Sequence, residues 1–363
     1  MMEYQYWMAN VTGIGNVTKR KLLACMGSAK AVYEADKTVL LATGLLREEI
    51  AEYVDRQKTY WRLSEEYESF LERKISFVTM ESPEYPDMLR EIYNAPYALY
   101  YLGTLPRQDE RIMAMVGARR CSAYGQTMAE EIAAALGRAG FGVTSGMALG
   151  IDGASHRGCI RGGGKTYAFL GSGVDVIYPA RHAKLYHEII ENGAVLSDFP
   201  PMTKPLPEHF PSRNRLISGI AEKTLVIEAK MRSGSLITAD TAIEQGRDVL
   251  ALPGRITDVM SEGTNHLIAQ GAGIISGIDQ LLADLEDLAG LDAIPSKGNA
   301  VQNLNLEKEE LLVYSCFDFY AKGLEDVQRQ TGLELLPLLS AVMRLSELGL
   351  IRETFKNQYI RLG

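Results

Sequence analysis

Residues 112–116, Ile-Met-Ala-Met-Val, run apolar without polar alternation, stop at Gly117, and are followed by a helical pattern that starts near Ser122. A strand without alternation is buried on both faces, which is how a parallel sheet covered by helices reads. Strand, glycine turn and helix in that order aim backbone N–H groups and a helix N-terminus at an anion. Arg119 and Arg120 sit in the turn. The expected guest therefore carries phosphate, as a nucleotide cofactor, a substrate or a nucleic-acid backbone.

The pattern repeats. Strand-like runs lie at 112–116, 142–144, 166–170, 194–196, 224–227, 249–252 and 274–275, with helical segments between most of them. Such alternation implies an α/β fold with helices on both faces of a parallel sheet. In sheets of this kind ligands bind beyond the carboxyl ends of the strands. Glycine-rich turns follow Val116, Thr144, Leu170, Ile227 and Leu252, all at those ends, so one continuous groove is expected.

The flanks differ. Residues 1–74 read as helical, with a further helix over 58–74, and Val11–Leu23 carries the Gly13-x-Gly15 turn of a helix-hairpin-helix followed by Lys19, Arg20 and Lys21. That segment contacts a nucleic-acid backbone or is a packed helical cap with solvated lysines. Residues 82–106 hold four prolines and several tyrosines, and read as an extended connector with one short helix. Residues 292–305 read as a linker. Beyond them come three short helical patterns and two strand candidates, 350–354 and 359–362, the outline of a winged helix. This end has more acids than bases, which favours protein contact or regulation over groove reading.

Bulk numbers narrow the function classes. The 363 residues suffice for two or three domains, and 46% hydrophobic with 23% charged residues is ordinary globular composition. No apolar run approaches a membrane span, and the N-terminus has no basic region followed by an apolar core, so a cytoplasmic chain without a leader is expected. Four scattered cysteines fit a reducing compartment, and five scattered histidines offer no metal spacing, so no metal is expected. The net charge of −8 excludes a wholly electrostatic nucleic-acid coat but not a local basic groove.

Two segments imitate cofactor loops. Arg161–Thr166, RGGGKT, needs glycine at position 159, which is Cys159, and it leaves a helix for a strand instead of the reverse. Gly171–Val176, GSGVDV, has Val176 at the third glycine position and continues into Tyr-Pro, not a helix. No nucleotide cofactor is expected.

The remaining constellations point at anions. After Ser145, Gly146 and Gly150 open a turn in which Asp152 can cap the next helix, and His156 lies one turn further; the pair is catalytic, or it is a cap beside a hydrogen-bonded core histidine. Phe210-Pro-Ser-Arg213-Asn214-Arg215 crowds two guanidiniums and an amide at a helix start, suited to phosphate oxygens and stacked bases or to an internal ion network with Glu228. Ser233-Gly234-Ser235 is another small-residue turn into a helix.

Taken together, GARRCSAYG, SGMALGIDGASH, GSGVDVIYP, FPSRNRLISG, EAKMRSGSLITADTA, GRDVLALPG and GTNHLIAQGA, in order over about 111–285, resemble the DNA-processing protein A family, also called DprA or Smf. The resemblance implies an extended Rossmann-like domain that binds and protects single-stranded DNA, dimerises, and helps load a RecA-type recombinase in natural transformation, without catalysis. It implies DNA contacts at Arg119, Ser145, Gly146, Arg181, Lys184, Arg213, Asn214 and Arg215, and phosphate-cradling turns at Gly117, Gly171, Ser233, Gly234 and Ser235. Ala180 stands where many members place a base after Tyr-Pro, leaving Arg181 to take over, helped by Lys184. The implied domains are a helical 1–74 (helix-hairpin-helix or SAM-like), a connector 75–110 packed on the core, the DNA-binding domain 111–289, a linker 290–305 and a winged helix 306–363. Arg119, Arg181, Arg213 and Arg215 are expected at the groove mouth, and alanine at 119 and 213 is expected to weaken binding more than folding. A helix around Leu267 and Ile268 is the candidate dimer face. The alternative is a nucleotide N-glycosidic hydrolase, which lacks its helix carboxylate: Thr241 stands there, with Glu244 a turn later.

Overall fold

The computed structural model describes residues 1–287, 306–317, 321–355 and 357–361. Six helices come first: α1 (Met2–Asn10), α2 (Asn16–Met26), α3 (Ala29–Glu34), α4 (Lys37–Ala42), α5 (Glu48–Tyr60) and α6 (Leu63–Glu72). The helix expected over 58–74 is thus broken at Trp61 and Arg62. The α1–α2 turn is clamped by α5, whose Gln57 exchanges three hydrogen bonds with Thr12. Lys19 points inward, donates to the Ala9 carbonyl at 2.8 Å, and burial pulls its pKa down to about 8.

The central segment runs β1 (Ser76–Thr79), α7 (Asp87–Arg90), β2 (Ala98–Gly103), β3 (Ile112–Val116), α8 (Ala123–Arg138), β4 (Gly142–Ser145), α9 (Ile151–Arg161), β5 (Thr166–Phe169), α10 (Ala183–Glu191), β6 (Gly193–Ser197), α11 (His209–Gly219), β7 (Lys223–Val226), α12 (Gly234–Glu244), β8 (Asp248–Ala251), α13 (Glu262–Ala269), β9 (Gly273–Ile274) and α14 (Ile278–Asp287). The nine strands form one sheet in the order β1-β2-β6-β5-β4-β3-β7-β8-β9. From β6 to β9 all neighbours are parallel, while β1 and β2 add antiparallel at one end. The connector is therefore more than an extended strap: Ala98–Gly103 pairs with β6, and its Tyr85, Tyr97 and Tyr100 are buried.

The two faces of β3 explain its unalternating sequence. Ile112, Ala114 and Val116 pack into one core with α11, α12 and the connector; Met113 and Met115 pack into the other with α8, α9 and α14. In α8, Ala129, Ile132, Ala133 and Leu136 lie on one helical stripe and are buried. Each fully buried large aliphatic such as Leu136 contributes about 1.5–3 kcal/mol. Small residues let α8 and α9 approach backbone to backbone: a Cβ on Gly158 would lie 2.3 Å from the Glu130 carbonyl.

Strand order sets the site. From β3 the chain steps outward through β4, β5 and β6, then crosses back to place β7 on the other side of β3. The loops after β3 and β7 leave in opposite directions, and a crevice opens between them. The C-terminal segment has α15 (Lys308–Cys316), β10 (Lys322–Gly323), α16 (Leu324–Thr331), α17 (Leu335–Glu347), β11 (Ile351–Phe355) and β12 (Gln358–Arg361), with its own sheet in the order β10-β12-β11. Arg352 of β11 donates to Thr127 Oγ1 of α8 at 3.0 Å. The expected linker 290–305 lies outside the described residues.

Candidate nucleic-acid interface

A cleft of about 630 Å³ occupies the crevice at the carboxyl ends of the strands. Its walls come from the loop after β3 (Gly117–Arg120), Ala148 after β4 with Asp152 in the first turn of α9, Tyr178 after β5, the start of α11, and residues from Lys230 to Thr238 after β7. Five basic side chains line it (Arg119, Arg120, Arg213, Lys230, Arg232) against one acid, Asp152. The cleft is thus positive within a chain of net charge −8, as field focusing by a low-dielectric groove requires.

Local sequence builds the β3 wall. Ser122 caps α8, its Oγ accepting from Gly125 N–H at 3.0 Å. Glu228, at the end of β7, then accepts from Ser122 N–H (2.8 Å) and Ser122 Oγ–H (2.5 Å), while its carbonyl accepts from Ala118 N–H (2.8 Å). These bonds hold the loop carrying Arg119 and Arg120 from both ends. Gly117 is required because a Cβ there would lie 2.6 Å from Ile151, and Gly150, at φ +78°, would meet the Ala118 carbonyl at 2.2 Å. Arg119 and Arg120 themselves are exposed and form no ion pair among the described residues, although the charge of Arg119 acts on Asp152. The Arg119 guanidinium lies 5.3 Å from the centroid of Phe210, whose ring is 5.6 Å from that of Tyr178.

The residues of the α11 start divide differently from the expectation. Arg213 is 3% exposed and forms part of the cleft floor instead of its mouth. Its Nη1 donates to the Gly146 carbonyl at 2.9 Å and to the Phe169 carbonyl. Burial lowers its pKa to about 10, partly offset by Asp152. Gly146 has no side chain for the same reason: a Cβ would lie 2.6 Å from this guanidinium. Arg215 does not line the cleft; it is locked against Asp198 at 2.5 Å. Arg215 thus pairs with Asp198, Arg213 is held by two carbonyls with the Asp152 charge acting on it, and Glu228 serves Ser122. Only Asn214 of the three is half-buried with its amide free of hydrogen bonds to described residues.

Other expected positions also separate. Ser145 is buried, and its hydroxyl donates to the Met115 carbonyl at 2.6 Å, so it is not offered to a ligand. Gly171 makes room for the Phe210 ring. Ser233 caps α12, accepting from Ser235 N–H at 3.3 Å, and Gly234 faces the cleft. Arg181 is exposed on a short 3-10 turn, residues Ala180–His182, three residues after Tyr178 but outside the cleft wall. Lys184 points to solvent and pairs with Glu188 at 3.3 Å.

Asp152 sits in the first turn of α9 without capping it. Its carboxylate accepts from Ala148 N–H at 3.3 Å, and burial raises its pKa against the opposing pull of Arg213. His156 is fully buried, its Nδ1 2.6 Å from Thr166 Oγ1, and burial lowers its pKa to about 3. It is a neutral core histidine and does not touch Asp152. With a folded pKa below the unfolded value of about 6.5, the unfolded chain binds the extra proton between those values. His156 therefore supports stability above pH 6.5, and that support is lost as pH falls toward 3. Its ring Cε1–H resonance should not titrate between pH 5 and 8; a midpoint near 6.5 would contradict this packing.

The model of the family described as DNA recombination-mediator protein A matches residues 76–286. The chain belongs to that family. It is 44% identical over 202 residues to DNA processing protein DprA of Streptococcus pneumoniae, covering 56% of this chain and 71% of that one. It is 34% identical over 296 residues to protein Smf of Synechocystis, covering 80% and 74%. The crystal structure of the S. pneumoniae DprA superposes with a TM-score of 0.68 at 35% identity, over 78% of this chain and 98% of that one. A Helicobacter pylori DprA structure that concerns that protein's single-stranded DNA binding mode has a TM-score of 0.54 at 28% identity, over 58% and 96%.

Lys230, Arg232 and Tyr178 were not among the residues that the motifs singled out for contact. A signal for the first two existed: both precede the Ser233-Gly234-Ser235 turn, where strand end and helix start converge. Tyr178 gave none, because Tyr-Pro reads equally well as a packed turn.

Proposed function

We propose that this chain binds single-stranded DNA along the cleft as a recombination mediator and releases it unaltered. The observation that carries the reading is the set of exposed cations Arg119, Arg120, Lys230 and Arg232, none of them ion-paired among the described residues, around a floor of helix N-termini. Phosphates neutralise those cations, while Phe210 and Tyr178 offer ring faces to unstacked bases. The related proteins support it.

Hydrolysis of a nucleotide lacks its carboxylate. Thr241 bonds back to the Ile237 carbonyl, and Glu244 closes α12, about 15 Å along the helix from Gly234. Binding of single-stranded and duplex oligonucleotides across a salt series tests the proposal. Single strands should bind more tightly, with log affinity falling steeply and linearly in log salt; equal affinities, or no salt slope, would refute it.

We further propose homodimerisation and loading of a RecA-type recombinase, as the family resemblance implies. Within one chain Leu267 is buried and Ile268 packs partly on the same core, so the other side chains of that helix would carry the expected face. Ile243 and Ile274, 59% and 53% exposed, offer apolar side chains toward the β9 end of the sheet. Light scattering at micromolar concentration should give twice the chain mass, and a monomer would remove this part. The element order α15-β10-α16-α17-β11-β12 supports a winged-helix reading, and the single base on the exposed face of α17, Arg344, pairs with Glu347, which supports protein contact over groove reading. The helical block and the two antiparallel strands support the proposed limits 1–74 and 75–110, although the N-terminal helices share cores with the connector and the sheet.

A further inference from the structure

Met260 lines the cleft, and the loop that leads to it carries exposed apolar side chains that phosphate binding does not use. Residues 254–261, between β8 and α13, form a loop pinned at both ends. Gly254 N–H donates to Asn265 Oδ1 (3.1 Å) and Asn265 Nδ2 donates to the Gly254 carbonyl (3.0 Å); at the other end Ala229 N–H donates to the Met260 carbonyl (2.9 Å). Two tight turns fill the loop, Asp258 N–H to the Arg255 carbonyl and Ser261 N–H to the Asp258 carbonyl. At its tip Ile256 is 93% exposed, with Val259 52% exposed beside it in sequence. Met231, between Lys230 and Arg232, and Ile237, early in α12, are also exposed.

A pinned loop bearing β-branched side chains has little freedom to fold them away, and exposed aliphatic clusters next to a polar site mark a contact surface. The chemistry of the neighbours selects the occupant. Ile237 and Met260 line the same cleft wall as Lys230 and Arg232, so apolar and cationic groups are interleaved along one edge. A single strand, with charged phosphates and apolar base faces at regular intervals, matches that interleaving; a duplex hides its base faces.

We propose that Ile256 and Val259 wedge between successive bases of a single strand as it leaves the cleft, holding the strand unstacked. The wedge rests on the single-strand reading above. Aliphatic side chains inserted at base steps unstack them at a cost that other contacts offset.

The test uses an adenine-rich strand carrying one 2-aminopurine, which is quenched while stacked. Binding of the full chain should raise its fluorescence about threefold, because aliphatic contacts do not quench. Replacing Ile256→Ser and Val259→Ser should abolish most of that rise. It should also weaken binding to a thymine strand, whose bases stack little, about fivefold more than to the adenine strand, which regains its stacking when the wedge is lost. Both side chains are exposed, so the thermal midpoint serves as a control for folding. An unchanged rise in a variant that still binds would overturn the wedge and leave the single-strand reading intact, assigning the loop to a protein partner instead. Failure of the unmodified chain to bind either strand would overturn both.

Discussion

Replacing Arg119, Arg120, Lys230 and Arg232 together by alanine is expected to lower affinity for a thymine oligonucleotide roughly 500-fold at ~0.1 M salt. Each phosphate contact on a single strand contributes about 0.7 to the slope of log affinity against log salt. Four contacts give a slope change of about 2.8, and over one decade of salt that is the affinity lost, roughly 500- to 600-fold. The four side chains are exposed and form no ion pair among the described residues, so stability should change by less than about 0.5 kcal/mol at each. Fluorescence anisotropy over a salt series reads both quantities. A variant that binds with the original slope would show that the strand lies elsewhere.

Replacing Arg213→Ala should instead destabilise the domain, by about 3–5 kcal/mol. The substitution strips the Gly146 and Phe169 carbonyls of their donor and leaves the Asp152 carboxylate, itself 7% exposed, without its neighbouring cation. At roughly 2–4 °C per kcal/mol for a domain of this size, the thermal midpoint should drop by about 6–20 °C. This reverses the expectation that alanine at 213 weakens binding more than folding. A folded Arg213→Ala variant of undiminished midpoint but lost DNA affinity would restore the contact role. Pairing it with Asp152→Asn should recover part of the loss, because the uncompensated charge is then removed.

The contrast between these arginines shows where sequence reasoning stops. Arg119 and Arg213 are alike in type, and both were expected at the groove mouth. In one the side chain leaves the loop toward solvent and the Phe210 ring; in the other it reaches back between β4 and β5 to two carbonyls. Side-chain direction depends on which neighbour strands stand there, and spacing along the chain does not encode it. Arg215 and Asp198 are likewise brought together only by the packing of α11 against the end of β6.

What the chain alone determined was the layered sheet, the positions of the parallel strands and the location of the groove. Those follow from local causes: buried apolar runs such as 112–116, glycine turns at their ends, and capping residues such as Ser122. The tertiary structure decided which cations are free. A buried guanidinium must be satisfied by whatever carbonyls and carboxylates the fold delivers to it, whereas an exposed one keeps its charge for a partner. That division moved the positive edge of the cleft from α11 to the loops after β3 and β7. It also drew part of the expected connector into the sheet, since Ala98–Gly103 finds in β6 an edge whose N–H and C=O groups must be paired.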